Sequence, residues 1–218
     1  QDLAIDLLIG NNKKQDLIPA LENFQKDRKR RNEMIDINHT HEYEALQIDR
    51  TEEHTRAYIK VQDGCNQFCS YCLIPFARGR VRSRKTADVL EEVKRLAASG
   101  CQEVVLTGIH LSSYGVDTDD SLLHLVQLVN EIDGIERIRL GSLEPRIVTE
   151  RFAKKISEMD KICPHFHLSL QSGSDRILAL MKRKYNSRQA LSAIELLKNT
   201  LPNVQLTTDV ITGFPHES

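Results

Sequence analysis

Hydrophobic and polar positions along this 218-residue chain switch between two periods. From Ala57 onward, short β-prone runs (AYIKVQ, EVVLTG, RIRLGS, HFHLSLQ and VQLTTDVITG) alternate with segments whose apolar residues recur at i, i+3, i+4 and i+7. One helix is predicted on Val89, Val93 and Leu96, with Thr86 as N-cap and Gly100 as its stop. A second rests on Leu122, Leu125, Val126 and Val129, capped by Ser121 and ending near Gly134. A third carries Phe152, Ile156 and Met159 after Thr149, and a later one Leu191, Ile194 and Leu197 after Ser187. Strand–helix alternation of this kind predicts parallel strands joined by right-handed helical crossovers.

The strands narrow the architecture. Parallel strands covered on both faces read as continuous apolar runs, whereas these alternate. Phe166, Leu168 and Leu170 share one face of HFHLSLQ, and His165, His167, Ser169 and Gln171 the other. Leu206 and Val210 oppose Gln205, Thr207 and Asp209, and Ile138 and Leu140 oppose Arg137 and Arg139. Helices would cover the apolar face, so the polar face lines a cavity instead of the packed lumen of a complete barrel. The expectation is an α/β fold, a partial (β/α) barrel with a polar ligand inside, occupying residues 57–218 and ending before its last strand. Residues 1–27 read as strand (Ala4 to Ile9), turn and helix (Leu17 to Phe24), the tail of a preceding α/β domain. Residues 28–56, charged and poor in apolar positions, read as a linker.

Composition excludes several classes. No apolar run approaches the roughly 18 residues needed to span a bilayer, and no basic leader precedes the first apolar stretch. A formal net charge of -1 excludes a globally basic nucleic-acid binder, yet RKRR (Arg28 to Arg31), RGRVRSRK (Arg78 to Lys85) and KRK (Lys182 to Lys184) are dense local patches. Five cysteines do not suit a secreted disulfide framework, and a reducing cytoplasm is the expected location.

Three of those cysteines crowd into GCNQFCSYC, as Cys65, Cys69 and Cys72, while Cys101 and Cys163 stand alone at predicted strand starts. Tetrahedral zinc takes four ligands in two short-spaced pairs, and no second pair exists. An electron-transfer cluster takes four thiolates, and Cys101 and Cys163 read by default as buried packing residues. The spacing C-x3-C-x2-C directly after a first barrel strand resembles the signature of the radical S-adenosylmethionine (SAM) enzymes. That resemblance implies a partial (β/α)6 barrel with SAM in the lumen. It also implies a 4Fe–4S cluster held by Cys65, Cys69 and Cys72, with one iron open to SAM, whose reductive cleavage yields methionine and a 5'-deoxyadenosyl radical.

Other positions carry the resemblance further. Tyr71 stands at the aromatic position near the adenine. DVITGFPHE resembles the fifth-strand motif, with Asp209 in place of its first glycine, Ile211 at the adenine contact and Gly213 following. After the second strand TGIH offers only Gly108 of the expected glycine-and-acid motif. Glu144, Ser169 and Gln171 sit at strand ends, where such a barrel places its site. VQDGCNQFCSYCLIPFARGRVRSR, LTGIHLSSYG, GSLEP, LSLQSGSD and MKRKY are similar to the methylthiotransferase branch of these enzymes. The variants present favour the members that convert N6-threonylcarbamoyladenosine beside the tRNA anticodon to its 2-methylthio derivative. The alternatives are isopentenyladenosine or a ribosomal-protein aspartate as substrate, or a non-catalytic iron–sulfur or RNA-binding module.

The family implies a second 4Fe–4S cluster whose three cysteine ligands this chain does not contain, so the sequence reads as part of an enzyme that binds one cluster and SAM. Expected partners are the tRNA anticodon stem-loop and a reductant such as flavodoxin or ferredoxin, without a membrane. Arg78, Arg80, Arg82, Arg84 and Arg183 are the candidates for RNA phosphates or the threonyl carboxylate, since guanidinium pairs with either in two-pronged fashion. No catalytic residue is assigned; His110 is the candidate for substrate selection.

Overall fold

The computed structural model describes residues 4–46 and 56–217. Five parallel strands form its frame: β3 (Arg56–Asp63), β5 (Glu103–Gly108), β6 (Arg137–Leu140), β7 (His165–His167) and β8 (Gln205–Thr207). Strands β3, β5 and β6 pair in that order, and β7 pairs with β8. Parallel bridges Ile138↔Ile162 and Leu143↔Leu168 carry the curl from one group to the other. The two-residue β4 (Arg82–Ser83) runs antiparallel along the outer edge of β3.

The crossovers are α3 (Thr86–Ala98), α4 (Leu122–Asn130), α5 (Glu150–Ser157) and α7 (Ser187–Thr200). Their apolar stripes meet the strand faces that alternation predicted. Val89, Val93, Leu96, Leu125, Val126, Val129 and Ile156 lie against Ile59, Val61, Val104, Leu106, Ile138 and Phe166, all at most 1% exposed. Full burial of such side chains contributes about 1.5–3 kcal/mol each. The opposite strand face carries Arg56, Lys60, Thr107, Arg139 and His167, partly exposed, and exposed Thr207, with Tyr58 and Val105 among them. The partial (β/α) barrel is thus the observed architecture.

Caps depart in two places. Ser121 and Thr149 cap as expected, accepting from His124 N and Phe152 N at 3.2 Å. Thr86 does not cap: the N-cap of α3 is Lys85. The Thr86 hydroxyl is drawn off to Asp120 and to the Tyr114 phenol. Helix α7 begins one residue before expectation, on an Asn186–Gln189 capping box, and Leu191 faces solvent at 55% exposure while Ala190, Ala193 and Leu197 face the core. Two short helices went unread, α2 (Ile74–Ala77) after the cysteine loop and α6 (Asp175–Leu180) after β7.

The stretch read as a linker is structured as far as it is described. β2 (Arg31–Glu33) pairs in parallel with β1 (Leu7–Ile9) around α1 (Leu17–Asp27), so the first unit runs past residue 27. A 3-10 turn at Ile37–His39 and buried Glu44 follow. Glu44 accepts from Lys14 Nζ at 2.9 Å and from Gln15 N at 3.1 Å. This unit rests on the barrel through Asn11 Nδ2 to Ala77 O at 2.6 Å and Tyr43 Oη to Lys60 O at 2.7 Å. Residues 47–55 of the predicted linker lie outside the described residues.

Candidate functional site

The cysteine loop leaves the C-terminal end of β3 through Gly64, whose φ of 70° belongs to the left-handed region. A Cβ there would stand 1.8 Å from Arg80 O, so no other residue fits. Cys65 and Cys69 are buried and Cys72 is half-buried, and all are free thiols. The loop is closed by Cys72 N to Cys69 O at 3.0 Å and Cys65 N to Gly79 O at 3.0 Å. Backbone N–H of Gln67 points at Cys65 Sγ, 3.4 Å away, and Arg183 Nη1 at Cys69 Sγ, 3.2 Å away. Burial pushes the Cys65 thiol up, with Cys69 and Cys72 adding to the effect as neighbouring sulfurs.

This donor set suits an iron–sulfur cube. It is all sulfur, faces N–H donors, and contains no carboxylate. Among the described residues no three His, Cys, Asp or Glu side chains are placed to hold a single ion, whereas a cube takes each thiolate on a different iron.

Beside the loop, the ends of β3, β5 and β6 are bonded together. Gln62, fully buried, donates from Nε2 to Asp63 O and Gly64 O at 2.7 Å each, and its Oε1 accepts His110 N at 2.7 Å. Asp63 accepts from Lys60 Nζ at 2.9 Å, Arg78 Nε at 3.1 Å and Gly64 N at 2.8 Å. Burial alone would raise its carboxyl, but these partners outweigh that and hold it below the ordinary range. Gly108 packs closely here. A Cβ on it would meet Gln62 Cβ and Oε1 at 2.9 Å.

His110 lies next in line. Its Nδ1 is 2.6 Å from Ser113 Oγ and its Nε2 3.1 Å from Glu144 Oε2. Glu144, 4% exposed, also takes the Arg146 guanidinium on both oxygens and places its backbone N–H on Ser112 Oγ at 2.8 Å. Burial pushes this carboxyl up, yet the hydrogen bonds of His110 and Arg146 prevail and hold it at about 2. These side chains, together with Asn66 and Gln67 of the cysteine loop and Ser112, line a cavity of about 310 Å³. The predicted candidates His110 and Glu144 are therefore one unit, ion-paired to an arginine that sequence reading passed over.

On the β7–β8 side the candidates stand apart. Gln171 adopts a φ of 66° and exchanges backbone bonds with Asp209 O at 3.0 Å and Ile211 N at 2.8 Å. The Asp209 carboxylate is 81% exposed and 3.5 Å from His167 Nε2. Ser169 contributes its carbonyl to Arg183 Nη2 at 3.3 Å and to Tyr185 Oη. Gly213 lies in the loop before Phe214, whose ring meets Tyr71 edge-on at 6.3 Å. Burial pushes the Tyr71 phenol up to about 12; Arg183 opposes and Cys69 reinforces the shift.

The arginines correct the sequence reading most. Arg82 and Arg84 are 1% and 2% exposed. Arg82 donates to the carbonyls of Arg80 and Arg78 at 3.0 and 2.9 Å, and Arg84 is ion-paired with buried Glu92. Arg78 is bonded to Asp63 and Asn11, and Arg183 turns inward onto Cys69. Arg82 and Arg84 are thus buried, against expectation, and Arg78 is half-buried, whereas Arg80 is exposed over the Phe68 ring at 4.6 Å. Gln62, Asp63, Glu92, Arg146 and Tyr185 complete the site's frame without having been singled out.

Comparison with known proteins bears on this geometry. The family model described as the Radical SAM superfamily matches residues 59–218. The tRNA-2-methylthio-N(6)-dimethylallyladenosine synthase of Clostridium tetani (strain Massachusetts / E88) is 44% identical over 177 residues, 80% of this chain and 39% of that protein. The threonylcarbamoyladenosine tRNA methylthiotransferase MtaB of Aquifex aeolicus (strain VF5) is 41% identical over 222 residues, 100% of this chain and 54% of that protein. MtaB of Bacillus subtilis (strain 168) is 35% identical over 99% of this chain and 48% of that protein. The chain therefore spans about half the length of the curated relatives it matches. Among solved structures, the radical S-adenosylmethionine methyltransferase TsrM from Kitasatospora setae superposes with a TM-score of 0.59 at 18% identity, over 71% of this chain and 30% of that one. That likeness is one of fold.

Proposed function

We propose, from the premise that this chain belongs to the radical SAM superfamily, that it is the barrel portion of a tRNA methylthiotransferase acting on N6-threonylcarbamoyladenosine. Cys65, Cys69 and Cys72 would hold the 4Fe–4S cluster, with the Gln67 N–H and the Arg183 guanidinium facing two of the sulfurs. When bound, the cluster supplies the electron that cleaves SAM, the radical chemistry needed at an adenine C2–H too weakly acidic for a side-chain base. Tyr71, Ser169, Gln171, Asp209, Ile211 and Gly213 flank the mouth of the lumen, where SAM would lie. The second cluster of the family falls outside this chain.

The observation that carries the substrate reading is the lining of the cavity beside the cysteine loop. His110, Glu144, Arg146, Asn66, Gln67, Ser112 and Ser113 give it polar and charged groups, beside the aliphatic Val81, Val116 and Ile147. His110, Glu144, Ser112 and Ser113 are already bonded to one another, but a dimethylallyl group would bring no polar partner to the exposed Arg146 guanidinium or to the Asn66 and Gln67 side chains. A threonylcarbamoyl group brings a carboxylate, a hydroxyl and amide N–H groups to meet them. The relatives do not separate the two substrates: the two MtaB proteins align over 99–100% of the chain at 35% and 41% identity, and the Clostridium tetani synthase over 80% at 44%. With its neighbours turned inward, Arg80 is the member of the basic arm left to meet tRNA phosphates.

Mass spectrometry of tRNA nucleosides from cells lacking the gene tests the reading. The 2-methylthio derivative of threonylcarbamoyladenosine should disappear while that of dimethylallyladenosine persists; the reverse pattern assigns the other substrate. Arg80→Ala in the full-length enzyme should weaken tRNA binding and lower the slope of log affinity against log salt by about 1.

A further inference from the structure

Two of the three loop thiols receive N–H donors, of different kinds. Cys65 faces a neutral backbone N–H, that of Gln67 at 3.4 Å. Cys69 faces a cation, Arg183 Nη1 at 3.2 Å. The guanidinium is fixed independently of the sulfur. Its Nη2 donates to Ser169 O at 3.3 Å, its Nε to Tyr185 Oη at 3.3 Å, and it lies over the Tyr185 ring at 4.9 Å. Tyr185 is itself 5% exposed and anchored on the carbonyls of Ser169 and Leu170. The same segment grips the loop next to Cys69, through Ser70 N to Met181 O at 3.1 Å and Ser70 Oγ to Leu180 O at 2.8 Å.

A donor aimed at a ligand sulfur stabilises the reduced, more negative form of a cluster more than the oxidised form, and its hydrogen bonds and local charge are among the levers that set the potential. A charged donor does this more strongly than a neutral one. We propose that Arg183 sets the reduction potential of the cluster, raising it through a charged hydrogen bond to the sulfur of Cys69. Arg183 is thus a positioning and tuning residue, distinct from the RNA contact its basic surroundings suggest. The inference rests on the cluster reading above.

The experiment is a redox titration of the chain reconstituted anaerobically with iron and sulfide. Iron per chain is measured alongside the electron paramagnetic resonance signal of the reduced cluster. Absence of a cluster from the wild-type chain would overturn the cluster reading itself. Given a loaded wild type, Arg183→Gln, which removes the charge, should load the same iron and titrate about 59 mV lower. For a one-electron couple that is a tenfold smaller reduced-to-oxidised ratio at fixed potential. Arg183→Lys, which keeps the charge but not the fork, should fall between the two. Unchanged midpoints in loaded variants would overturn the proposal. So would Arg183→Lys at the wild-type midpoint beside an unloaded Arg183→Gln, or loss of iron in both, because each assigns Arg183 to scaffolding alone.

Discussion

The two sides of the barrel mouth are built differently. Where β3, β5 and β6 end, polar side chains are buried and mutually bonded: Gln62 to His110, His110 to Glu144, Glu144 to Arg146, with Asp63 and the basic arm beneath. Where β7 and β8 end, strands are three residues long, Val210 is 57% exposed and Asp209 extends into solvent. The first side spends its polar groups on one another and so fixes the loop geometry. The second makes fewer side-chain bonds among the described residues. Substitutions on the bonded side should therefore register as stability, and substitutions on the open side as binding.

The largest effect is expected under the bonded side. Arg84→Met removes the guanidinium paired with the buried Glu92 carboxylate, and removing one partner of a buried pair costs about 3–5 kcal/mol. Urea unfolding should show the loss. A change below about 1 kcal/mol would mean that the arm is a solvated surface and that the contrast between the two sides is overstated.

Gln62→Ala comes next. It strands Asp63 O, Gly64 O and His110 N, and at roughly 1–3 kcal/mol for each group left unsatisfied a loss of about 3 kcal/mol is expected, water meeting part of the need. Gly108→Ala should cost about 1–3 kcal/mol by overpacking against the same side chain. The sharper observable is their coupling: with Gln62 already shortened, the alanine at 108 finds room, so the double variant should be more stable than the sum of the singles predicts.

This network also marks how far the sequence could be read. The cysteine loop was legible because its ligands are local, three thiols within eight positions, and the barrel because strand alternation reports which face is covered. Gln62 was not legible, since its partner His110 lies 48 residues away and a glutamine at a strand end carries no signal of burial. The basic arm misled for the same reason. RGRVRSR looks like a phosphate-binding surface until Asp63 and Glu92 are brought beneath it by folding. Leu191 misled by phase, because the adjacent apolar pairs Ala190–Leu191, Ala193–Ile194 and Leu196–Leu197 on α7 do not say which member faces the sheet. Arg183 needed both a chain reversal after β7 and the ring of Tyr185 to turn it inward.

Acid should separate the two sides as well. Glu144 titrates at about 2 in the folded chain against an ordinary 4.5. A group with a depressed folded pKa contributes stability above its unfolded value and loses it as pH falls through the folded one. The shift corresponds to about 3 kcal/mol, and nearer 2 kcal/mol once solvent screening at half-exposed Arg146 is allowed for. Stability should decline between pH 4.5 and 2, with Glu144→Gln flattening that part of the profile. A Gln variant as acid-sensitive as the wild type would place the sensitivity elsewhere.

The smallest stability effect, and the most telling, belongs to the open side. The Asp209 carboxylate is 81% exposed and its nearest partner, His167 Nε2, is 3.5 Å away, so Asp209→Ala should shift the unfolding free energy by no more than about 0.5 kcal/mol. Its backbone carbonyl, which accepts from Gln171 N at 3.0 Å, survives the change, so the strand ends stay in register. If that carboxylate is uncommitted because SAM engages it, the variant should melt like the wild type yet bind SAM at least tenfold more weakly by calorimetry on the reconstituted chain. A loss of stability without a loss of binding would invert the contrast, making the open side structural. An unchanged affinity would move the cofactor contacts onto Gln171, Ile211 and Tyr71, whose positions are set by backbone and ring contacts that an alanine at 209 leaves in place.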